Sequence, residues 1–290
     1  MNVPGFPLFK IIDFEDREII EDYIRRYPSE ACEVNFTNIF IWRKFEHSKY
    51  TILNGNLCIL CEPPTEPAYF LPPLGEEDLL QTVRTALAFA PRLSRVTEKF
   101  AGTFCGEFRC EPDPDNFDYV YLAEDLAQLK GKKYDGKRNR IRKFERSYLH
   151  RYVQLTPEHL DGCRRLFEEW CVEKENSGWV IHAEKEAIWE ALDRFQVLGL
   201  RGGAVEIDGK IEAFSIGEKF LEDTAVVHIE IANPKFVGLA QLINQESVRR
   251  EWASFRFINR EQDVGIPGLR RAKQSYHPHH LVKKFNVWKA

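Results

Sequence analysis

Four groups of polar residues in this chain have types and spacings that could do chemistry. The first is the segment 130–151, KGKKYDGKRNRIRKFERSYLHR, in which 10 of 22 residues are Lys or Arg and only Asp135 and Glu145 oppose them. Ile141, Phe144 and Tyr148 fall at i, i+3 and i+7, so a helix here can pack one face while Arg138, Arg142, Lys143 and Arg146 stay in water. A helix start near Asp135 leaves Lys130, Lys132 and Lys133 in a glycine-containing loop. With Lys137 and Arg138 they make a candidate site for the phosphate oxygens of a donor. The alternative is a solvated basic connector; an anion-binding surface would lose affinity with added salt.

The second group is the strand-to-helix turn 232–240, ANPKFVGLA, where Lys235, Gly238 and Ala240 read K-x-x-G-x-A. Backbone N–H groups at such a turn, with the helix dipole behind them, can hold a pyrophosphate, and Lys235 and Gly238 are its candidate donor-binding residues. An ordinary helix start, with Gly238 there for close packing, fits the same residues. The third group is His228 and Glu230, at i and i+2 on one face of a strand. Either could take the proton of an attacking amine, directly or through water. A buried structural pair is the alternative, and the two alone are too few ligands for a metal.

The fourth group is the segment 259–278, NREQDVGIPGLRRAKQSYHP. Arg260, Glu261 and Asp263 stand at a strand exit, Gly265 and Gly268 permit a tight path, and a short helix presents Arg270 and Lys273 one turn apart. The acids could grip an ammonium while the bases hold phosphate or a developing oxyanion. Arg260, Glu261, Asp263, Gly265 and Tyr276 are candidate substrate-binding residues; His228, Glu230, Arg270 and Lys273 are candidate catalytic residues. A structural salt-bridge cluster is the competing reading.

The elements that must position these groups follow an order that repeats. In the first half, helix-periodic residues at 15–27 and an aromatic segment at 35–45, a short helix or buried loop, precede a hairpin at Asn54-Gly55. Strand 69–71, helix 76–89 and strand 118–122 follow. In the second half, helices at 160–170 and 185–195 precede a hairpin at Asp208-Gly209, then strand 225–232, helix 238–252 and strand 255–258. Helices, hairpin, strand, helix, strand is the order of a GCN5-like N-acyltransferase lobe. The expectation is an α/β (α+β) protein of two such tandem lobes, 1–147 ending in the basic connector and 148–290 carrying the active site, each a mixed, mostly antiparallel sheet flanked by helices.

Bulk composition agrees with two domains. The chain has 290 residues, 43% hydrophobic and 30% charged, with 21 Phe, 10 Tyr and 6 Trp. A net charge of −4 excludes a general polyanion binder, so phosphate affinity must be local. Seven cysteines, an odd number in a long chain, argue against a disulfide framework. Cys58 and Cys61 form C-x-x-C inside an apolar strand run, where they read as small hydrophobes. No metal site is expected. The N-terminal stretch 1–5 lacks the charged start and apolar core of a signal peptide, and no run approaches the ~20 apolar residues of a membrane span, so a cytoplasmic location is expected.

Three parts of the sequence together resemble a known group. They are Leu129–Lys133 with Lys137-Arg138-Asn139, the later Arg260–Gly265 and Gly268–Pro278, and the early Phe36-Thr37-Asn38-Ile39-Phe40-Ile41-Trp42. The chain thereby resembles the DUF2156 family, itself similar to the soluble C-terminal domain of phosphatidylglycerol lysyltransferases, over nearly its whole length. The resemblance implies a tandem N-acyltransferase fold, an aminoacyl donor carried on tRNA, and an amine, hydroxyl, small-molecule or lipid-like acceptor. No tightly bound cofactor is implied; acyl-CoA or aminoacyl-tRNA would be a co-substrate. Three functions are open at this point: an acyl or aminoacyl transferase, an acetyl-CoA-dependent N-acetyltransferase using 235–240, and a non-enzymatic RNA- or partner-binding protein on the same fold.

Overall fold

The structure, a computed structural model, describes residues 3–176 and 182–290. Met1 and Asn2 of the N-terminal stretch read above lie outside the described residues. The chain forms two compact units. Unit 1 comprises Met1–Asp118, Gln262–Pro267 and Leu281–Ala290; unit 2 comprises Tyr119–Glu261 and Gly268–His280. The sequence reading divides the chain at 147/148, after the basic segment, whereas segment 130–151 lies wholly inside unit 2.

Unit 1 is built on strands β1 (Lys10–Ile11), β2 (Lys49–Leu53), β3 (Asn56–Cys61), β4 (Tyr69–Phe70), β5 (Arg92–Thr97) and β6 (Phe108–Pro112). They form one sheet in that order, except that strand Lys284–Lys289 inserts between β5 and β6. Asn54 and Gly55 join β2 to β3 with φ of 50° and 75°, the left-handed values for which Asn-Gly is suited. The aromatic segment forms helix Phe36–Glu46, started by the Asn35 side chain, which accepts a hydrogen bond from the Asn38 N–H at 3.1 Å. Helix Leu79–Phe89 covers the sheet, burying Val83, Ala86 and Leu87 against Phe70, Leu93, Val96 and Val287.

β4 and β5 are parallel, Tyr69 opposite Arg92 and Phe70 opposite Leu93. Just beyond, the pairing of β5 with strand Lys284–Lys289 slips, and Arg95 takes φ of 62°. A bulge of this kind re-aims a side chain at a cost in backbone strain.

Unit 2 holds β7 (Asp118–Leu122), β8 (His150–Gln154), β9 (Arg201–Ile207), β10 (Lys210–Lys219), β11 (Thr224–Ala232), β12 (Phe257–Asn259) and β13 (His280–Val282). Their order in the sheet is β13-β7-β12-β11-β10-β9-β8. Asp208 and Gly209, with φ of 51° and 74°, make the second hairpin turn. β11 and β12 are parallel, but only Thr224–Val226 pair with β12. From Val227 onward β11 has lost that neighbour, and the two strands splay. Helices Asp135–Ser147 and Leu239–Glu251 lie on this sheet and bury Ile141, Phe144, Leu242, Ile243 and Val248 around Trp252.

Both units are mixed, mostly antiparallel sheets flanked by helices, and both place a hairpin, a strand, a helix and a parallel strand in succession. The helices expected at 160–170 and 185–195 run Leu160–Asn176 and His182–Asp193. Among the described residues no helix is long and apolar enough to cross a membrane.

Candidate functional site

The splay of β11 from β12 in unit 2 is where three of the four polar groups meet. His228 and Glu230 project from the part of β11 that has left β12, and Arg260 and Glu261 follow directly after β12. His228 Nδ1 lies 2.8 Å from Glu261 Oε1, and its Nε2 lies 2.9 Å from Glu218 Oε1. Glu230 accepts from Arg260 Nη2 at 2.9 Å and from Asn244 Nδ2, on helix Leu239–Glu251, at 2.9 Å. The Arg260 guanidinium lies 5.0 Å from the Tyr276 ring centroid and 5.6 Å from that of Tyr121. The basic segment enters through Lys137, whose Nζ stands 3.5 Å from the Tyr276 centroid and donates to Ser275 Oγ at 2.7 Å. Tyr134 Oη donates to the Tyr276 carbonyl at 2.9 Å.

The electrostatics of these groups differ from what their types suggest. Burial alone would pull the His228 imidazole down, but the hydrogen bonds it donates to Glu218 and Glu261 outweigh it and lift the ring to about 10. With only 2% of its side chain exposed and both nitrogens held by carboxylates, His228 is an imidazolium at neutral pH. It anchors the two acids and is unsuited to take a proton, contrary to the sequence expectation of a base. Lys137 is moved the other way: burial first, then the Arg260 and Arg140 charges, lower it to about 8. It is the cation of this group that can lose its proton near neutrality. Arg260 Nη1 is buried and has no hydrogen-bond partner.

Other expected site residues have structural work. Lys273 is 8% exposed, and its Nζ donates to the carbonyls of Arg260 and, at 3.1 Å, Glu261. It thereby holds a turn in which Glu261 takes φ of 55°. Its burial removes it from the exposed helix face on which the sequence places it. Arg270 is half-buried on the same helix, Pro267–Gln274. Asp263 and Gly265 lie in unit 1, where the fully buried Asp263 carboxylate accepts the Gly265 N–H at 2.9 Å and closes a turn. That carboxylate thus has structural work on the backbone.

Gly238 has φ of 103°, and a Cβ there would come 2.3 Å from the Arg140 carbonyl oxygen and 3.0 Å from Phe144 Cβ. The close approach of helix Asp135–Ser147 is what requires glycine, so the pyrophosphate reading loses its support at this residue. Lys235 is exposed beside a hollow that also takes in Glu168, Glu169 and Glu173, an acidic setting unsuited to phosphate. Arg138 turns back onto the carbonyls of Leu129 and, at 2.8 Å, Gly131.

The rest of the basic segment faces water. Lys130, Lys132, Arg140, Arg142, Lys143 and Arg146 are exposed and make no ion pair among the described residues. Lys133 reaches Asp125 at 3.1 Å. Elsewhere many arginines are neutralised: Arg17, Arg84, Arg109, Arg151, Arg164 and Arg165 each meet a carboxylate. Carboxylates are in surplus on this chain, so cations left unpaired together form a patch open to an external anion.

Unit 1 contains a cavity of about 570 Å³ that sequence reasoning missed. It opens where β4 and β5 part, and its wall includes Trp42, Phe45, Glu46, Tyr69, Arg92 and the bulged Arg95. Beside it, Cys32, Glu33 and Asp118 place potential ligand atoms within 4.8 Å of one another. The Lys284 ammonium already fills the centre of that group, 2.6 Å from Asp118 and 2.5 Å from Glu33, with none of its side chain exposed. The cavity wall comes from segments far apart in sequence; the one local signal is Trp42 and Glu46 at i, i+4 on a helix.

The family model described as phosphatidylglycerol lysyltransferase, C-terminal, matches residues 24–288. A conserved protein of unknown function from Bacteroides thetaiotaomicron VPI-5482 is 30% identical, with a TM-score of 0.88 over 97% of this chain and 99% of that one. L-PGS from Bacillus licheniformis is 14% identical, with a TM-score of 0.64 over 100% of this chain and 94% of that one. FemX is 8% identical, with a TM-score of 0.58 over 96% of each. The last two likenesses concern the fold alone. No curated protein matches the sequence.

Proposed function

Because the chain belongs to the family of phosphatidylglycerol lysyltransferase C-terminal domains, we propose that it is a transferase that moves an aminoacyl group from a tRNA-borne ester to an amine or hydroxyl acceptor. The observation that carries this reading is the patch of unpaired cations on 130–146 and its continuity, through Lys137, with the Tyr276–Arg260 cluster of unit 2. Lys130, Lys132, Arg140, Arg142, Lys143 and Arg146 meet RNA phosphates, an affinity driven by counterion release.

In the transfer, the acceptor's lone pair attacks the ester carbonyl carbon. A C–N or C–O bond forms and the ester C–O bond to the ribose breaks; neutral Lys137 takes the acceptor's proton and gives it to the departing ribose oxygen, which leaves as a hydroxyl. Lys137 suits this role because its ammonium is destabilised to about 8. The unpartnered Arg260 Nη1 donates to the carbonyl oxygen as charge develops on it. Glu230 holds Arg260 in place, and His228 holds Glu261. Lysine as the transferred group and phosphatidylglycerol as acceptor are carried only by the family's description.

The test is transfer by the full chain from a mixture of aminoacyl-tRNAs to a primary amine, followed as loss of ester-linked label. Transfer that depends on Lys137 supports the reading. The bridging of the splay by His228–Glu261 and Glu230–Arg260 favours one second reading, RNA binding without transfer. Tight, salt-dependent RNA binding with no turnover from any aminoacyl-tRNA would select it. Acetyl-CoA as donor has less support, because Gly238 is used for helix packing.

A further inference from the structure

The cavity of unit 1 has no part in the reaction just described. Its wall combines three kinds of group. Helix Phe36–Glu46 supplies Trp42 and Phe45, with ring centroids 6.4 Å apart, and ends in Glu46. The Glu46 carboxylate accepts from Tyr69 Oη at 2.7 Å and has no cation paired with it among the described residues. On the opposite strand, Arg92 pairs with Glu66, and Arg95 reaches Glu33, Glu66 and Asp113 at 3.5 Å each. The two arginines pair with other acids, and burial, only partly offset by Tyr69 and Arg95, pushes the Glu46 carboxyl up; a cation bound against the aromatic rings would bring it back down.

Two atoms without a hydrogen bond lie in the same wall. Glu33 gives Oε2 to Lys284 at 2.5 Å, while its buried Oε1 makes no hydrogen bond among the described residues and meets Arg95 Nε only as a long ion pair at 3.5 Å. Arg92 Nε is buried and has no hydrogen-bond partner among the described residues. Buried polar atoms are rarely left without a hydrogen bond, and an acceptor met only by a long ion pair together with an unmet donor in one cavity points to a guest that both donates and accepts. Backbone strain at Arg95, φ 62°, is spent where this cavity opens.

We infer that the unit 1 cavity is a binding site for a small molecule bearing a protonated primary amine, with Glu46 as counter-ion and Trp42 and Phe45 as the faces on which the cation rests. A carboxylate together with aromatic faces selects ammonium over neutral isosteres through charge pairing and cation–π attraction. Glu33 Oε1 offers a second acceptor to the amine, and Arg92 Nε offers a donor to an oxygen elsewhere on the molecule. A volume of about 570 Å³ suits a guest of small-metabolite size.

Calorimetry on the full chain with n-hexylamine, 1-hexanol and hexanoate tests this without any donor present, so its outcome is separate from that of the transfer assay. At roughly 150 mM salt, which screens adsorption to exposed charge, hexylamine is expected to bind at least about tenfold more tightly than hexanol, and hexanoate more weakly than either. In Glu46→Gln the preference for the amine should disappear while hexanol binding persists. If that variant fails to fold, Trp42→Leu serves, with hexylamine weakened more than hexanol. Equal binding of amine and alcohol, a preference that survives both substitutions, or no saturable amine binding would each overturn the inference.

Discussion

The Nζ of Lys137 stands 3.5 Å from the centroid of the Tyr276 ring, two residues 139 positions apart held face to face within one compact unit. The ring would stabilise the ammonium, yet burial and the charges of Arg260 and Arg140 prevail and lower Lys137 to about 8. The transfer reading therefore has a pH signature. The rate should rise with pH through a midpoint near 8 as Lys137 becomes neutral. Lys137→Arg, which cannot deprotonate, should remove the rise and lower turnover by about 10²–10⁴ while RNA binding is retained. A pH profile left intact by Lys137→Arg would remove this residue from the reaction.

Charge reversal on the open basic face separates phosphate contact from structure. Lys132, Lys143 and Arg146 are exposed and carry no ion pair among the described residues, so Glu at each should leave the melting temperature nearly unchanged. RNA affinity should fall, and the slope of log K against log salt should shrink by about one per residue. An unaltered slope in the triple variant would exclude this face as the RNA surface.

The imidazolium of His228 makes stability fall with alkali. Its folded pKa, about 10, lies above the 6.5 of the unfolded side chain. The stabilisation is therefore complete below about 6.5 and is lost as pH rises towards 10. Lys137, depressed on folding, opposes this between about 8 and its ordinary 10.5, so the comparison must be a difference. Wild type minus His228→Gln, measured by denaturant unfolding, should decline across that window. A flat difference would mean that the two carboxylates do not hold a charged ring.

Gly238→Ala tests the helix contact that displaces the pyrophosphate reading. A Cβ would meet the Arg140 carbonyl oxygen at 2.3 Å, and the backbone has φ of 103°. Overpacking together with an unfavourable φ should cost about 3 kcal/mol. Thermal unfolding reads this directly, and an unchanged melting temperature would show that the helices are not in contact there.

Local chemistry was the legible part of this protein. Asn54-Gly55 and Asp208-Gly209 announced both hairpins because few residue pairs accept consecutive positive φ. Ile141 and Phe144 gave away the buried face of the basic helix by their spacing. Residue type marked Lys137, His228, Glu230, Arg260 and Tyr276 as candidates one group at a time, but their convergence was not legible, because no spacing relates segment 130–151 to 228–230 or 260–276. Roles were less legible. Lys273 reads as a catalytic cation and Asp263 as a substrate-gripping acid, but both are buried and hold backbone groups, Lys273 the Glu261 carbonyl and Asp263 the Gly265 N–H. The unit 1 cavity was invisible for a different reason. Its walls are drawn from residues 33–71, 92–116, 262–264 and 286, and no periodicity reports contacts at such separation.

The strand Lys284–Lys289 lies inside the unit 1 sheet, hydrogen-bonded to β5 on one side and β6 on the other. A ribosome makes β5 and β6 early and this strand only after all of unit 2 has emerged. The earlier-made unit is thus the later-finished one. Until residues 284–289 arrive, two neighbouring strand edges stand open to any passing chain, and a fragment ending at residue 147 would keep them open permanently. Order of synthesis and order of completion run in opposite directions along this polypeptide.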